Sequence, residues 1–233
     1  MKPDNHTLYV IPARGGSKGI PYKNIALLAQ RPLIAYSIDV ALALASPEMV
    51  CLSTDDDVIR QVAESCGLPV NYRRPPEFAT DNSGSREVIL DVMDYYDRQG
   101  IAYDKVVLLQ PTSPLRTADD VRAALALYND DIDMVVSVVE ASANPYYNCF
   151  ETDADGYLQI SKGNGMLTRR QDAPKAWEYN GAVYVINPKS LRAMPMGSFS
   201  RRMPCPMSAA HSIDIDSPLD LLIAETILKS NRG

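Results

Sequence analysis

The sequence predicts an α/β domain built on a mainly parallel sheet, and three observations carry that expectation. Short apolar runs end repeatedly in loops rich in Gly, Pro or Asn. Stretches with apolar residues at helical spacing separate most of these runs, so successive strands need crossover connections, which favour parallel pairing. The chain has 233 residues, with hydrophobic residues at 46% and charged residues at 22%. That composition buries a sizeable core in one large domain with a modest insertion.

The first strand is Thr7 to Pro12 (TLYVIP), running into a Gly-rich loop, with a helical repeat over Pro32 to Leu44. Met49 to Ser53 (MVCLS) reads as a second strand. Thr54 is the expected N-cap of a helix from Asp55 to Cys66, stopped by Gly67. Val70 to Tyr72 reads as a short third strand, and Arg73 to Ser85, with Pro75, Pro76, Asn82 and Gly84, as a loop before an amphipathic helix over Arg86 to Arg98. Lys105 to Leu109 (KVVLL) is a buried strand, Gln110 to Arg116 a Pro-containing loop, and Ala118 to Tyr128 a helix capped by Thr117. Met134 to Val139 is a further strand. The texture then changes: Ala141 to Arg170 has no long amphipathic helix and reads as an insertion with short antiparallel strands, spanning about residues 140–180. The alternation resumes at Gly181 to Ile186 and closes with Ile213 to Ile215 and a helix over Pro218 to Lys229.

Charge and composition exclude several classes of function. Lys plus Arg number 23 against 29 Asp plus Glu, a net charge of −6, so binding to nucleic acid by phosphate neutralisation is not expected. The four cysteines form no CxxC pair and read as reduced thiols, and two histidines do not support an imidazole-rich metal site. No signal-peptide pattern opens the chain and no apolar run reaches the roughly 18 residues of a membrane span, so a cytoplasmic protein without membrane contact is expected.

The segment Ala13, Arg14, Gly15, Gly16, Ser17, Lys18 and Gly19 directly follows the first strand, where open α/β sheets bind ligands. Glycines let backbone N–H groups converge on anionic oxygens, while Arg14, Lys18 and the nearby Lys23 supply charge and Ser17 a hydroxyl. The spacing fits neither GxGxxG nor GxxxxGK[ST], which argues against a dehydrogenase or a P-loop NTPase. A bland alternative is a tight turn with a solvated Arg and Lys.

A second feature is Ser212-Ile213-Asp214-Ile215-Asp216, where alternation on an extended segment puts Asp214 and Asp216 on one face. Two such carboxylates suit Mg²⁺, which completes its octahedron with water and phosphate oxygens. The competing reading is that Asp216 merely caps the last helix ahead of Ser217 and Pro218. The loop Gln110 to Arg116 follows a strand and should face the same crevice. Arg74 and the stretch Thr80 to Ser85 either form an ordinary polar loop or wrap a base and ribose.

Six blocks in order carry a family resemblance: IPARGGSKGIPYKN (Ile11 to Asn24), STD (Ser53 to Asp55), RPPEFATDNSGS (Arg74 to Ser85), LQPTSPLR (Leu109 to Arg116), YNGAVYV (Tyr179 to Val185) and SIDIDSPLDL (Ser212 to Leu221). The chain resembles the CMP-N-acylneuraminate cytidylyltransferases, which activate sialic acids and related nine-carbon keto acids. The resemblance implies a Rossmann-like fold of the nucleotide-diphospho-sugar transferase type, in one domain over 1–233, with an antiparallel extension that pairs subunits in a homodimer. It implies CTP and a nine-carbon keto sugar acid as substrates and Mg²⁺ as cofactor.

Residue by residue, the resemblance assigns Ala13 to Lys18, Lys23, Asn24, Arg74 and Ser85 to the nucleotide. Gln110, Thr112, Ser113, Arg170, Asn180, Tyr184 and Phe199 match the sugar side, and Asp214 and Asp216 the metal. The implied chemistry is attack of the sugar's C2 hydroxyl on the α-phosphorus of CTP with loss of pyrophosphate. Arg14, Lys18, Lys23 and metal-bearing Asp214 would carry the catalysis. Two departures leave the sugar open: Asn144-Pro145-Tyr146-Tyr147-Asn148 replaces a His-Pro step followed by a basic residue, and Phe199 alone stands for an aromatic pair. Legionaminate- or pseudaminate-specific enzymes, an eight-carbon keto-acid (KDO) cytidylyltransferase and a non-catalytic nucleotide-sugar sensor are the alternatives.

Overall fold

A computed structural model describes residues 6–16, 19–80 and 83–230. Its framework is a six-stranded sheet interleaved with helices. The opening run forms β1 (Thr7–Pro12), a small hairpin forms β2 (Leu27–Leu28) and β3 (Arg31–Pro32), and helix α1 (Leu33–Leu42) follows. Then come β4 (Val50–Ser53), α2 (Asp57–Ser65), α3 (Ser85–Arg98), β5 (Lys105–Leu108), α4 (Ala118–Leu127) and β6 (Met134–Glu140). The insertion carries β7 (Phe150–Thr152) and β8 (Leu158–Ile160), which pair antiparallel. The chain returns through β9 (Trp177–Ile186), α5 (Pro188–Ala193) and β10 (Arg202–Pro206) and closes with α6 (Pro218–Ser230).

The sheet order is β10-β6-β9-β5-β1-β4, and every neighbouring pair is parallel except the two made by β9. The carboxyl ends of β1, β4, β5, β6 and β10 therefore share one edge with the amino end of β9. Four of the loops that the sequence marks as chemical leave from that edge: residues 13–24 after β1, 54–56 after β4, 109–117 after β5 and 207–217 after β10. The crevice at such an edge is where open α/β sheets bind ligands.

Burial follows the pattern of the strands. The main core runs through β1, β4, β5, β6 and β9 against α1, α3 and α4, with Tyr9, Ile11, Leu52, Val107, Val136 and Val185 among its buried members. A smaller cluster joins Ile20 of the Gly-rich loop to Leu28, Leu33, Leu115, Ile215 and Ala224 of α6. That cluster ties three of the four edge loops to one apolar patch.

Several boundaries differ from the sequence reading. The N-cap of α2 is Asp56, whose carboxylate accepts from the N–H groups of Val58 (2.8 Å) and Ile59 (3.0 Å), while the Thr54 hydroxyl accepts from the Asp56 N–H instead. An ionised acceptor at the cap outcompetes a hydroxyl two residues earlier. Val70 to Tyr72 forms no strand beside the edge strand β4; the backbone contact there is made past it, by Arg74 N–H to Thr54 O (2.9 Å). Ile213 to Ile215 is extended but outside the sheet; the pairing beside β6 is taken by β10, whose two prolines hide it in the sequence. Thr117 does cap α4, in a reciprocal box with Asp120.

Candidate active site

The Gly-rich loop is pinned to its neighbours rather than left as a solvated turn. Ala13 is buried and donates to Ser53 O on β4 (2.9 Å), and Gly15 N–H donates to the Asp55 carboxylate (3.0 Å). The buried Asn24 donates its amide to Arg14 O (2.9 Å), bracing the loop from below. Gly16 has φ +67°, a left-handed conformation that favours glycine. A side chain on Gly19 would meet the Asp216 carbonyl at 2.8 Å, so this glycine allows the loop to approach the aspartate segment. Ser17 and Lys18 lie outside the described residues.

Beneath this loop opens a cavity of about 250 Å³, lined by Arg14, Lys23, Asn24, Arg74, Ser83, Ser85 and Gln110 with Pro12, Val88 and Leu108 as its apolar floor. Arg74 is buried, and its guanidinium donates to Ser53 Oγ (3.0 Å) and Ser53 O (2.7 Å). Burial lowers its pKa, opposed by the attraction of Asp55. Three cations around a small space with a few apolar walls suit an anionic, partly aromatic ligand such as a nucleotide.

Gln110 connects this half of the cleft to the other. There β9 carries an irregularity: Val136 of β6 pairs with Tyr184 and Val138 with Tyr179, so the β9 chain between them bulges. Ser137 holds the bulge, donating to Asn180 Oδ1 (2.5 Å) and accepting from Val183 N–H (2.7 Å); Asn180 also donates to Ser212 Oγ (2.9 Å). At its crest Gly181 has φ +73°, and an added Cβ would lie 2.9 Å from Gln110 Oε1, 3.5 Å from Ser113 Oγ and 3.6 Å from Asp214 Oδ2. Those three side chains converge where the glycine leaves room. The sequence reading passed over Gly181, although a glycine inside a strand is itself a signal of a bulge or close approach.

Asp214 is turned inward beside Thr112 and Tyr184, and burial is the main cause that raises its pKa, with a hydrogen bond to Thr112 opposing. Its Oδ1 is buried without a partner among the described residues, as is Ser113 Oγ. Ile215 is fully buried in the smaller cluster and donates to Thr112 O (2.8 Å), which fixes the aspartates on either side of it. Asp216 is 76% exposed and pairs with Lys23 at 2.9 Å. It does not cap α6: Ser217 and Asp220 do, with the Asp220 carboxylate accepting from Ser217 Oγ (2.7 Å) and the N–H groups of Ser217 (2.7 Å) and Asp216 (3.1 Å).

Two expected sugar-side residues lie elsewhere. Arg170 is exposed on the insertion, donating to Ala141 O (2.8 Å). Phe199 is 4% exposed within the main core, because the turn before β10 folds it under the sheet. Among the described residues no group of three or more His, Cys, Asp or Glu side chains is placed to hold a metal. Any cation here would take Asp214 and Asp216 and draw its other ligands from phosphate and water, which is magnesium's habit. The orphaned Asp214 Oδ1 fits that demand.

A family model described as cytidylyltransferase matches residues 8–213. The chain belongs to the cytidylyltransferase family. It is 34% identical over 228 residues to a CMP-N,N'-diacetyllegionaminic acid synthase of Legionella pneumophila, covering 97% of each chain. It is 34% identical over 227 residues to an N-acylneuraminate cytidylyltransferase of Streptococcus agalactiae, where the match covers 95% of this chain and 52% of that protein. This cytidylyltransferase thus spans about half the length of the streptococcal relative. Its fold is similar to that of a CMP:2-keto-3-deoxy-manno-octonic acid synthetase complexed with CTP, with TM-score 0.69, 19% identity and coverage of 97% and 99% of the two chains. The family match ends one residue before Asp214.

Proposed function

We propose that the protein transfers CMP from CTP to the anomeric hydroxyl of a nine-carbon keto sugar acid, with magnesium as cofactor. The observation that carries this reading is the divided cleft: a cation-lined cavity on the β1 and β4 side meets a neutral and acidic pocket at Gln110, Ser113, Gly181 and Asp214. The relatives named above act on sialic and legionaminic acids, and a 31% identical relative from Campylobacter jejuni is a pseudaminic acid cytidylyltransferase.

In this reading Arg14, Arg74 and Lys23, with Lys18 by its place in the sequence, bind the triphosphate and offset the charge that builds on it. Lys23 and Asp216 neutralise one another in the free protein. Substrate phosphate and a cation give each a new partner, so the pair opens as the site fills. Asp214 and Asp216 would hold magnesium, which supplies charge neutralisation at phosphate oxygens. Gln110, Thr112, Ser113 and Tyr184 orient the acceptor sugar, and its C2 hydroxyl displaces pyrophosphate from the α-phosphorus.

The insertion fits a homodimer. Its hairpin exposes Phe150, Tyr157 and Leu158, with Met166 exposed on the chain that follows, a larger apolar face than a two-stranded hairpin keeps in water by itself.

The test is pyrophosphate release with CTP and Mg²⁺ against N-acetylneuraminate, legionaminate, pseudaminate and the eight-carbon acid. Turnover with one nine-carbon acid is expected. CTP binding with no turnover on any acid would overturn the enzymatic reading.

A further inference from the structure

Arg116 closes the Gln110 loop and is 3% exposed, yet no carboxylate pairs with it among the described residues. Its terminal nitrogens donate to Ala182 O (2.8 Å), Gln110 O (3.2 Å) and Ser37 Oγ (2.5 Å), while its Nε is buried without a partner among the described residues, and Ser37 Oγ in turn donates to Gln110 O (3.3 Å). Burial lowers its pKa to about 10, against the attraction of Asp120. A buried cation without a counter-ion is expensive, and an apolar side chain would fill the same space at lower cost.

Its three acceptors belong to three elements: the loop after β5, the bulge of strand β9, and α1. Gln110 and Gly181, the residue before Ala182, face one another at the acceptor pocket. A planar guanidinium spans two carbonyls and a hydroxyl at fixed angles, which a lysine ammonium at the same place does not.

We propose that Arg116 is a positioning residue which, through the carbonyls of Gln110 and Ala182, sets the width of the acceptor pocket between the Gln110 loop and the Gly181 bulge. The assignment rests on the proposed function, because the pocket it shapes is the one given to the keto sugar acid. The nucleotide cavity shares Gln110 with that pocket, but the braces of its Arg14 and Arg74 are made elsewhere, by Asn24 on the Arg14 carbonyl and by Ser53 on the Arg74 guanidinium, and Arg116 touches neither.

The test compares the full-length wild type with Arg116→Lys and Ser37→Ala. The readouts are CTP affinity by calorimetry without acid, and the acid's KM and kcat by pyrophosphate release at saturating CTP. For Arg116→Lys the acid KM should rise about tenfold or more while CTP affinity stays within about threefold, and Ser37→Ala should move the acid KM the same way by about threefold. An unchanged acid KM in the variants, or a parallel loss of CTP affinity, overturns the assignment alone. If Arg116→Lys fails to fold, Ser37→Ala decides by the same criterion. A wild type silent with every acid overturns the functional reading and this assignment with it.

Discussion

The two halves of the cleft are built on opposite plans. On the nucleotide side the charged and amide groups are held by the protein: Arg74 on Ser53, Asn24 on Arg14 O, and the Gly15 N–H on Asp55. On the acceptor side, Ser113 Oγ and Asp214 Oδ1 are buried with no partner among the described residues. A buried polar atom without a hydrogen bond costs about 1–3 kcal/mol, so the second half stores a cost that a ligand relieves. In the proposed function the first side is preorganised by the chain for the nucleotide, and the second awaits its partner groups from the acceptor.

The sharpest way to break this comparison is at Asp214. Asp214→Ala should lower kcat by about 10²–10³-fold or more, the scale on which loss of one charge-stabilising group is felt, with the circular dichroism of the wild type retained. A folded variant with near-normal turnover would remove Asp214 from the chemistry. The same carboxylate makes a stability prediction without metal. Its pKa is raised by burial, so the native state holds the proton more tightly than the unfolded chain. The stability this carboxyl contributes is therefore present below the ordinary aspartate pKa and lost as pH rises toward the raised one, so Asp214→Asn should gain stability relative to the wild type across that window in urea titrations.

Gly181→Ala comes next. It forces a Cβ into a left-handed backbone and toward Gln110 Oε1 at 2.9 Å. The acid KM should rise about tenfold, with a stability loss of about 1–2 kcal/mol measured by denaturant, and little change in CTP affinity. Arg74→Lys probes the other half: the paired bonds to Ser53 are lost, and CTP affinity should fall about tenfold in calorimetry while the acid KM holds. Ser113→Ala gives the smallest effect and the clearest sign. Removing an unsatisfied buried hydroxyl should leave the free protein as stable or up to about 1 kcal/mol more so, while weakening acid binding a few-fold. A loss of stability would show that Ser113 is satisfied in the free protein.

Much of the Gly-rich side of the cleft was legible in the sequence, because backbone chemistry there is local: three glycines, a serine and two cations occupy seven consecutive positions after a strand. The carboxyl-edge placement of Gln110 to Arg116 was legible for the same reason. Gly181, Asp55 and Arg116 were not singled out, since each acts on a segment far along the chain. Phe199 shows the opposite failure: an aromatic residue assigned to the pocket by resemblance is spent on the core.

By itself the sequence determined the alternation of strands and helices, the Gly-rich loop, the insertion and the family. Those follow from short-range patterns of burial, turn chemistry and charge, and from motif order. The tertiary structure decided which strands meet, and so which loops share an edge: β9 entering antiparallel between β5 and β6, and β10 closing beside β6, are pairings between distant segments. They bring Gly181 and Asp214 to Gln110, and Asp216 to Lys23. The cleft forms only when long-range packing sets these segments against one another, because the register of a strand depends on partners that no local pattern names.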